Sequence, residues 1–321
     1  MSNCVKPQAT PLPEGLVAAD TRASVGAWVA FTEGPAVDAD GSVYFSDIVN
    51  NRILTRTPEG EVSVFRADSG RTNGNLFDHQ GRLVSCEGAE EGPGGRRRIV
   101  RTDFKTGRVT VLTQRFEGKR YNSPNDLTID SRGRIYFTDP RYGDRSDLEL
   151  DVEAVYCLDT DGKVTRVISP PDVQKPNGIA VSPDDKTLYV VDSNPVAGGN
   201  RKIWAFDVDS DGKLGGQRLV YDFSPGRGGD GIRLDVKGNL WIAGGVNVPR
   251  HPHETTDVPA GVYVVSPTGN LLGRIPIPED LTTNLAFGGP DKKTLYVTAG
   301  KTLFTMRTSV SGFTIYPPLQ G

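Results

Sequence analysis

SPNDLTIDSRGRIYFTDP, residues 123–140, reads as a polar head, a short strand, a turn at Gly133 and a second strand of aromatic and β-branched residues. The stretch has five relatives along the chain. They are TEGPAVDADGSVYFSD from Thr32, TNGNLFDHQGRLVSCE from Thr72, KPNGIAVSPDDKTLYVVD from Lys175, GGDGIRLDVKGNLWIAG from Gly228 and TTNLAFGGPDKKTLYVTAG from Thr282. Their turn positions, Gly41, Gly81, Gly133, Asp185, Gly238 and Lys293, are 40, 52, 52, 53 and 55 residues apart. A near-constant unit of this size points to a repeat architecture.

Each head is followed by the same order of elements. After SVYFSD come NRILTRT and VSVFRA, and the later units repeat this with RRIVRTD and RVTVLT, AVYCLD and KVTRVI, KIWAFDVD and GGQRLVYD, GVYVVS and LLGRIPI. The intervening KTGR, TDGK, DSDGK and PTGN place glycine where a hairpin wants a positive φ. Four antiparallel strands repeated six times predict an all-β, six-bladed β-propeller spanning 16–321, behind a proline-rich tail over 1–15. The last unit has KTLFTMRTS for a third strand and little for a fourth. Leu16 to Ala19 is therefore expected to complete blade six and cover its open edge, with the C-terminal FTIY of Phe313 to Tyr316 as the alternative.

Composition agrees and narrows the function. Of 321 residues, 36% are hydrophobic, with 38 Gly and 23 Pro, which suits a turn-rich β protein with a filled core. A net charge of −3 with mixed signs leaves no footprint for nucleic acid or an anionic membrane. Cys4, Cys86 and Cys157 are too scattered for a disulfide framework or zinc site, and the latter two read as buried apolar residues. There is no GxSxG elbow, phosphate loop or HExxH motif. MSNCVKPQATPLPEG lacks an apolar signal core, so the chain as given is expected to be cytoplasmic, and periplasmic or secreted if a signal once preceded it. A monomer or weak homo-oligomer is expected.

Eight residues before each turn position lies a polar column: Glu33, Asn73, Asn125, Asn177 and Asp230, with Asn284 nine residues before its own. One such residue commonly serves a turn. Six in register, each ahead of an innermost strand, converge at one mouth of the central channel. Carboxylate and amide oxygens gathered there without His or Cys call for a hard divalent cation in the channel, Ca²⁺ first, then Mg²⁺ or Mn²⁺, with Zn²⁺ less natural. The second strands return to the same mouth, bringing Asp47, Glu87, Asp139 and Asp192. Arg141 and Tyr142 follow Asp139, and the loop after Trp241 supplies His251 and His253.

At these residues the chain resembles the gluconolactonase, regucalcin and luciferin-regenerating superfamily, closest to its bacterial gluconolactonase-like members. TEGP, SPNDL, KPNGIAVSPD, GGDGIRLD and YFTDPRYG carry the resemblance over Phe31 to Arg307. It implies a six-bladed propeller whose metal is held by Glu33, Asn125, Asn177 and Asp230. It also implies hydrolysis of a sugar-acid lactone. Regucalcin-type members hold the sugar acid with an Arg two residues before the third-head Asn, where this chain has Ser123, so Arg120, Tyr121 or Arg141 is expected to stand in.

The expected enzyme is a metal-dependent lactonase acting on a small lactone. The cation would polarise the carbonyl while a carboxylate, Asp230 first and then Asp139 or Asp192, activates water. Asn73, Ser123, Arg141, Tyr142, Asn284 and His251 are expected to meet substrate. Two alternatives use the same fold: a phosphotriesterase or fluorophosphatase resembling squid-type phosphatases, and a non-enzymatic calcium-binding scaffold. Loops rich in Gly, Pro and charge, without exposed aromatic anchors, argue against the scaffold.

Overall fold

The computed structural model describes residues 30–318. Six antiparallel blade sheets follow one another along the chain, one for each sequence repeat, with a two-stranded hairpin of Arg115–Phe116 and Lys119–Arg120 between the second and third. Their first strands are Thr32–Val37, Thr72–Phe77, Leu127–Ile129, Pro176–Val181, Gly229–Leu234 and Thr282–Gly288. Each packs against the first strand of the next blade, and the sixth returns to the first, so these six strands surround a channel. Outermost strands such as Val62–Ala67 and Leu271–Pro276 are largely exposed. This is the expected propeller. None of the described residues forms a helix long and apolar enough to cross a membrane.

Period-two patterning builds the core between blades. Val191, Ile203, Ile232 and Ile242 pack between blades four and five, and Val84, Ile99, Leu127 and Phe137 between blades two and three. All are fully buried. Sheet-on-sheet burial of such residues is the main stabilising term, at about 25 cal/mol per Å² of apolar surface. Cys86 and Cys157 are buried and unpaired, as the strand pattern predicts.

Among the described residues five blades have four strands and the sixth has three, Thr282–Gly288, Thr294–Ala299 and Thr302–Arg307. The expected closing strand at Leu16 to Ala19 lies outside the described residues. Its alternative is corrected: Phe313 to Tyr316 does not join blade six but crosses the base of the channel. Gly312 pairs with Asp235, the Phe313 N–H donates to Leu234 O at 2.9 Å, and Tyr316 packs against Phe77 with ring centroids 5.7 Å apart. The reason is the apolar base itself, where Val37, Ile129, Val181 and Phe287 need a cover.

Candidate active site

Each head carries a local break in its strand register. Pairing between first and second strands shifts between Glu33 and Ala36, Thr72 and Asn75, Pro176 and Ile179, Gly229 and Ile232, and Thr282 and Asn284. In the third blade the first strand starts only at Leu127, leaving Ser123 to Asp126 outside it. A bulge releases a residue from the ladder and re-aims its side chain. Here it turns the column residues toward the channel.

The heads touch around the channel. A Cβ on Gly34 would lie 2.2 Å from Asn73 O, and one on Gly178 would lie 2.2 Å from Asp230 O. Each glycine leaves room for the column residue of the next blade. Asn284 Nδ2 donates to Glu33 Oε2 at 3.1 Å and to Asp126 Oδ2 at 3.4 Å. Asp126 in turn pairs with Arg233 at 3.2 Å, which closes the floor beneath the ring.

Above that floor is a cavity of about 340 Å³ lined by Glu33, Asn73, Asn125, Asn177 and Asp230, together with Ser123, Arg141 and Tyr142. The four expected metal ligands thus share one cavity. Burial, reinforced by the charges of Asp230 and Asp126, holds the Glu33 carboxyl well above its ordinary pKa. Burial likewise pushes Asp230 up to about 7, against the opposing effects of Arg227 and of a hydrogen bond with Asn177. A buried carboxyl, Glu33, repelled by the half-buried Asp230 favours a proton or a cation between them. The side-chain oxygen of Asn73 also lacks a hydrogen-bond donor among the described residues. The donors that the cavity offers a cation are the carboxylates of Glu33 and Asp230 and the amide oxygens of Asn73, Asn125 and Asn177. Such donors fit a hard divalent cation.

Other expected site residues stand elsewhere. Asp139 is fully buried, and its oxygens accept the N–H groups of Ser123 at 2.7 Å and Asn122 at 2.8 Å. Asp192, equally buried, accepts those of Lys175 at 2.9 Å and Gln174 at 3.0 Å. These two do not line the cavity, and their expected role as general bases is corrected: they anchor the loops that carry Asn125 and Asn177. Asp47 and Glu87 are similarly engaged, by Arg52 at 2.9 Å and Arg98 at 2.6 Å. Asp47, Asp139 and Asp192 turn inward because backbone N–H groups of their heads need acceptors, whereas Glu87 is held by arginine side chains.

Asn284 is a correction of the same kind, since it buttresses Glu33 and does not line the cavity. His251 is exposed, stacked on His253 at 5.5 Å, and outside the cavity. The Arg120 guanidinium binds Glu149, and Tyr121 is buried with its hydroxyl 2.8 Å from Thr113 Oγ1, so neither replaces an arginine at Ser123. Ser123 Oγ instead accepts the Ala89 N–H at 3.1 Å and ties down the neighbouring loop. Arg141 reaches the cavity wall, yet its guanidinium donates to Asn122 O at 2.9 Å, Asp147 at 2.9 Å and Asp144 O. Tyr142 leans over the site, with its hydroxyl 3.0 Å from Asn177 Nδ2 and Lys175 Nζ 4.9 Å from its ring.

Sequence reasoning missed Arg71, Arg227 and Glu254, which also line the cavity. A signal existed for two of them: Arg71 and Arg227 sit two and three residues before the column residues Asn73 and Asp230.

The arrangement has known relatives. Residues 31–301 match the SMP-30/Gluconolactonase/LRE-like region. A gluconolactonase of Zymomonas mobilis is 31% identical over 306 residues, covering 88% of this chain and 80% of its own. A 6-deoxy-6-sulfogluconolactonase of Pseudomonas putida is 30% identical, covering 81% and 79%. Among solved structures, a gluconolactonase of Xanthomonas campestris superposes with a TM-score of 0.72 at 35% identity, covering 87% of this chain and 86% of that one. The chain belongs to the SMP-30/gluconolactonase/LRE-like family.

Proposed function

We propose that the protein is a hydrolase that opens the ring of a small lactone of the sugar-acid type, using a divalent cation held by Glu33, Asn125, Asn177 and Asp230. The observation that carries this reading is the buried Glu33 carboxyl and the half-buried Asp230 carboxyl sharing, with the amides of Asn73, Asn125 and Asn177, the lining of a cavity of about 340 Å³. Similarity to gluconolactonases supports the substrate class. Oxygen donors alone favour Ca²⁺, then Mg²⁺ or Mn²⁺. When bound, the cation supplies Lewis acidity toward the lactone carbonyl oxygen.

The residues of the chain do the rest. Asp230 takes a proton from the water that attacks the carbonyl carbon and returns it to the ring oxygen as the acyl C–O bond breaks. The product is a hydroxy acid. Asn177, hydrogen-bonded to Tyr142, keeps that tyrosine over the cavity, where its ring limits access of bulk water. Asp139 and Asp192 keep the heads rigid, so that the ligating side chains remain preorganised.

The test is hydrolysis of δ- and γ-lactones by metal-stripped protein, with Ca²⁺, Mg²⁺, Mn²⁺ and Zn²⁺ restored singly. Restored turnover of sugar lactones supports the reading. Full turnover without any cation, or turnover of phosphotriesters with none of lactones, would overturn it.

A further inference from the structure

Four guanidinium groups line the cavity, and three already donate hydrogen bonds to protein acceptors. Arg141 is held as described above. Arg201 donates to Val196 O at 3.2 Å, Asn200 O at 3.3 Å and Gly199 O at 3.4 Å. Arg71 pairs with Glu91 at 2.9 Å and Glu90 at 3.5 Å. Arg227 differs from all three. Its nearest acidic atom among the described residues is Glu254 Oε1 at 3.9 Å, beyond hydrogen-bond reach.

Glu254 is itself engaged, because its other oxygen accepts the N–H groups of Arg250 at 2.6 Å and His251 at 3.2 Å. The Arg227 side chain is only 27% exposed, so it has left much of its water without gaining a close acceptor. Its position is also particular. It stands three residues before Asp230, on the loop that enters the inner strand of blade five, and its charge acts on the Asp230 carboxyl. A planar fork of N–H donors suits a carboxylate, sulfonate or phosphate, which it binds with two parallel hydrogen bonds.

We infer that Arg227 is a specificity-determining residue that selects lactones bearing a negatively charged substituent away from the ring carbonyl. This rests on the lactone-hydrolase reading above and adds a substrate class to it. Neutral polyol lactones would leave the guanidinium facing water. Charged ones would give it the acceptor that Glu254 does not supply. Arg71 is the internal comparison, since its own acidic loop already neutralises it.

The experiment measures kcat/KM for wild type, Arg227→Gln and Arg71→Gln on three substrates: δ-gluconolactone, glucarolactone with its free carboxylate, and a gluconolactone phosphorylated on its terminal hydroxyl. Wild type should favour at least one charged lactone, and which one distinguishes carboxylate from phosphate. Arg227→Gln should lower the charged-to-neutral ratio of kcat/KM about tenfold or more through KM, the worth of one charge-assisted contact, since any effect of its charge on Asp230 is common to all three substrates. Arg71→Gln should leave the preference intact.

An equal loss on all three lactones would overturn the inference, because it would place Arg227 at the reaction centre or in the scaffold. Transfer of the effect to Arg71→Gln would overturn it as well. Thermal stabilisation by the same lactones reads binding without turnover. If wild type hydrolyses none of them, the lactone reading fails, whereas Arg227 fails only if the charged lactones protect wild type no better than Arg227→Gln.

Discussion

The two ends of the central channel are built from the same six strands and are chemically opposite. Glu33, Asn73, Asn125, Asn177 and Asp230 face the mouth, and four residues further along the same segments Val37, Phe77, Ile129, Val181 and Leu234 line the base. A strand presents residues two and four apart on one face, so each segment could have continued in one chemistry. Instead five heads change over within a single bulge, and the third does so just before its strand begins. The mouth keeps carboxylates whose charge is costly, and the base is apolar and closed by Phe313 to Tyr316. Stability and chemistry are thereby assigned to opposite ends of one wall.

Asp230→Asn should separate the ends most sharply. It removes a carboxylate proposed both to ligate the cation and to move the proton, so kcat should fall on the order of a thousandfold. Metal-free protein should melt higher than wild type, because a charge that burial disfavours is gone. Added Ca²⁺ should stabilise wild type and stabilise Asp230→Asn less. Activity and calorimetry on one preparation check all three outcomes, and retained turnover would return the mouth to scaffold.

Phe287→Ala attacks the other end. The ring is 4% exposed and packs edge-on against Trp241 at 5.2 Å. Its loss should cost about 3 kcal/mol or more in stability, read by denaturant titration. Turnover per folded molecule should stay near wild type, since Phe287 does not line the cavity of the mouth. A matching fall in kcat would mean that the two ends are coupled through the wall.

How much of this contrast could be read beforehand depends on distance along the chain. Blades were legible because their turns and strand pairs are local, and the register of Gly133 against Asn125 recurs in sibling units. The polar column was legible for the same reason. The pairing of Asp126 with Arg233 joins residues 107 apart and follows no period. Strand-end carboxylates were misread because the sequence locates Asp139 at the mouth without saying whether its oxygens face substrate or the N–H groups of Asn122 and Ser123. Backbone donors leave no mark in a sequence. Loop residues such as Glu254 were missed because loop paths escape both local pairing and repeat register.

Asp139 offers the finest test of where the mouth ends and its support begins. Both its oxygens accept N–H groups, so Asp139→Asn sets an amide donor against one of them and leaves a buried group unpaired. The expected cost is about 1–3 kcal/mol, smaller than for Phe287, with kcat per folded molecule nearly unchanged. The pH dependence carries the distinguishing sign. Burial raises the Asp139 carboxyl from its ordinary 3.8 to about 7, so between those values the folded protein keeps a proton that the unfolded chain has released. Its contribution to stability must then fall as pH rises across that window and level off above it. Glu33 and Asp230 are shifted the same way, so the measurement is made with divalent cation added, where the proposed ion would counterbalance them. There the loss of melting temperature between pH of about 5 and about 7.5 should be shallower in Asp139→Asn than in wild type. An unchanged slope, or a loss of turnover like that expected for Asp230→Asn, would move Asp139 from the frame into the chemistry.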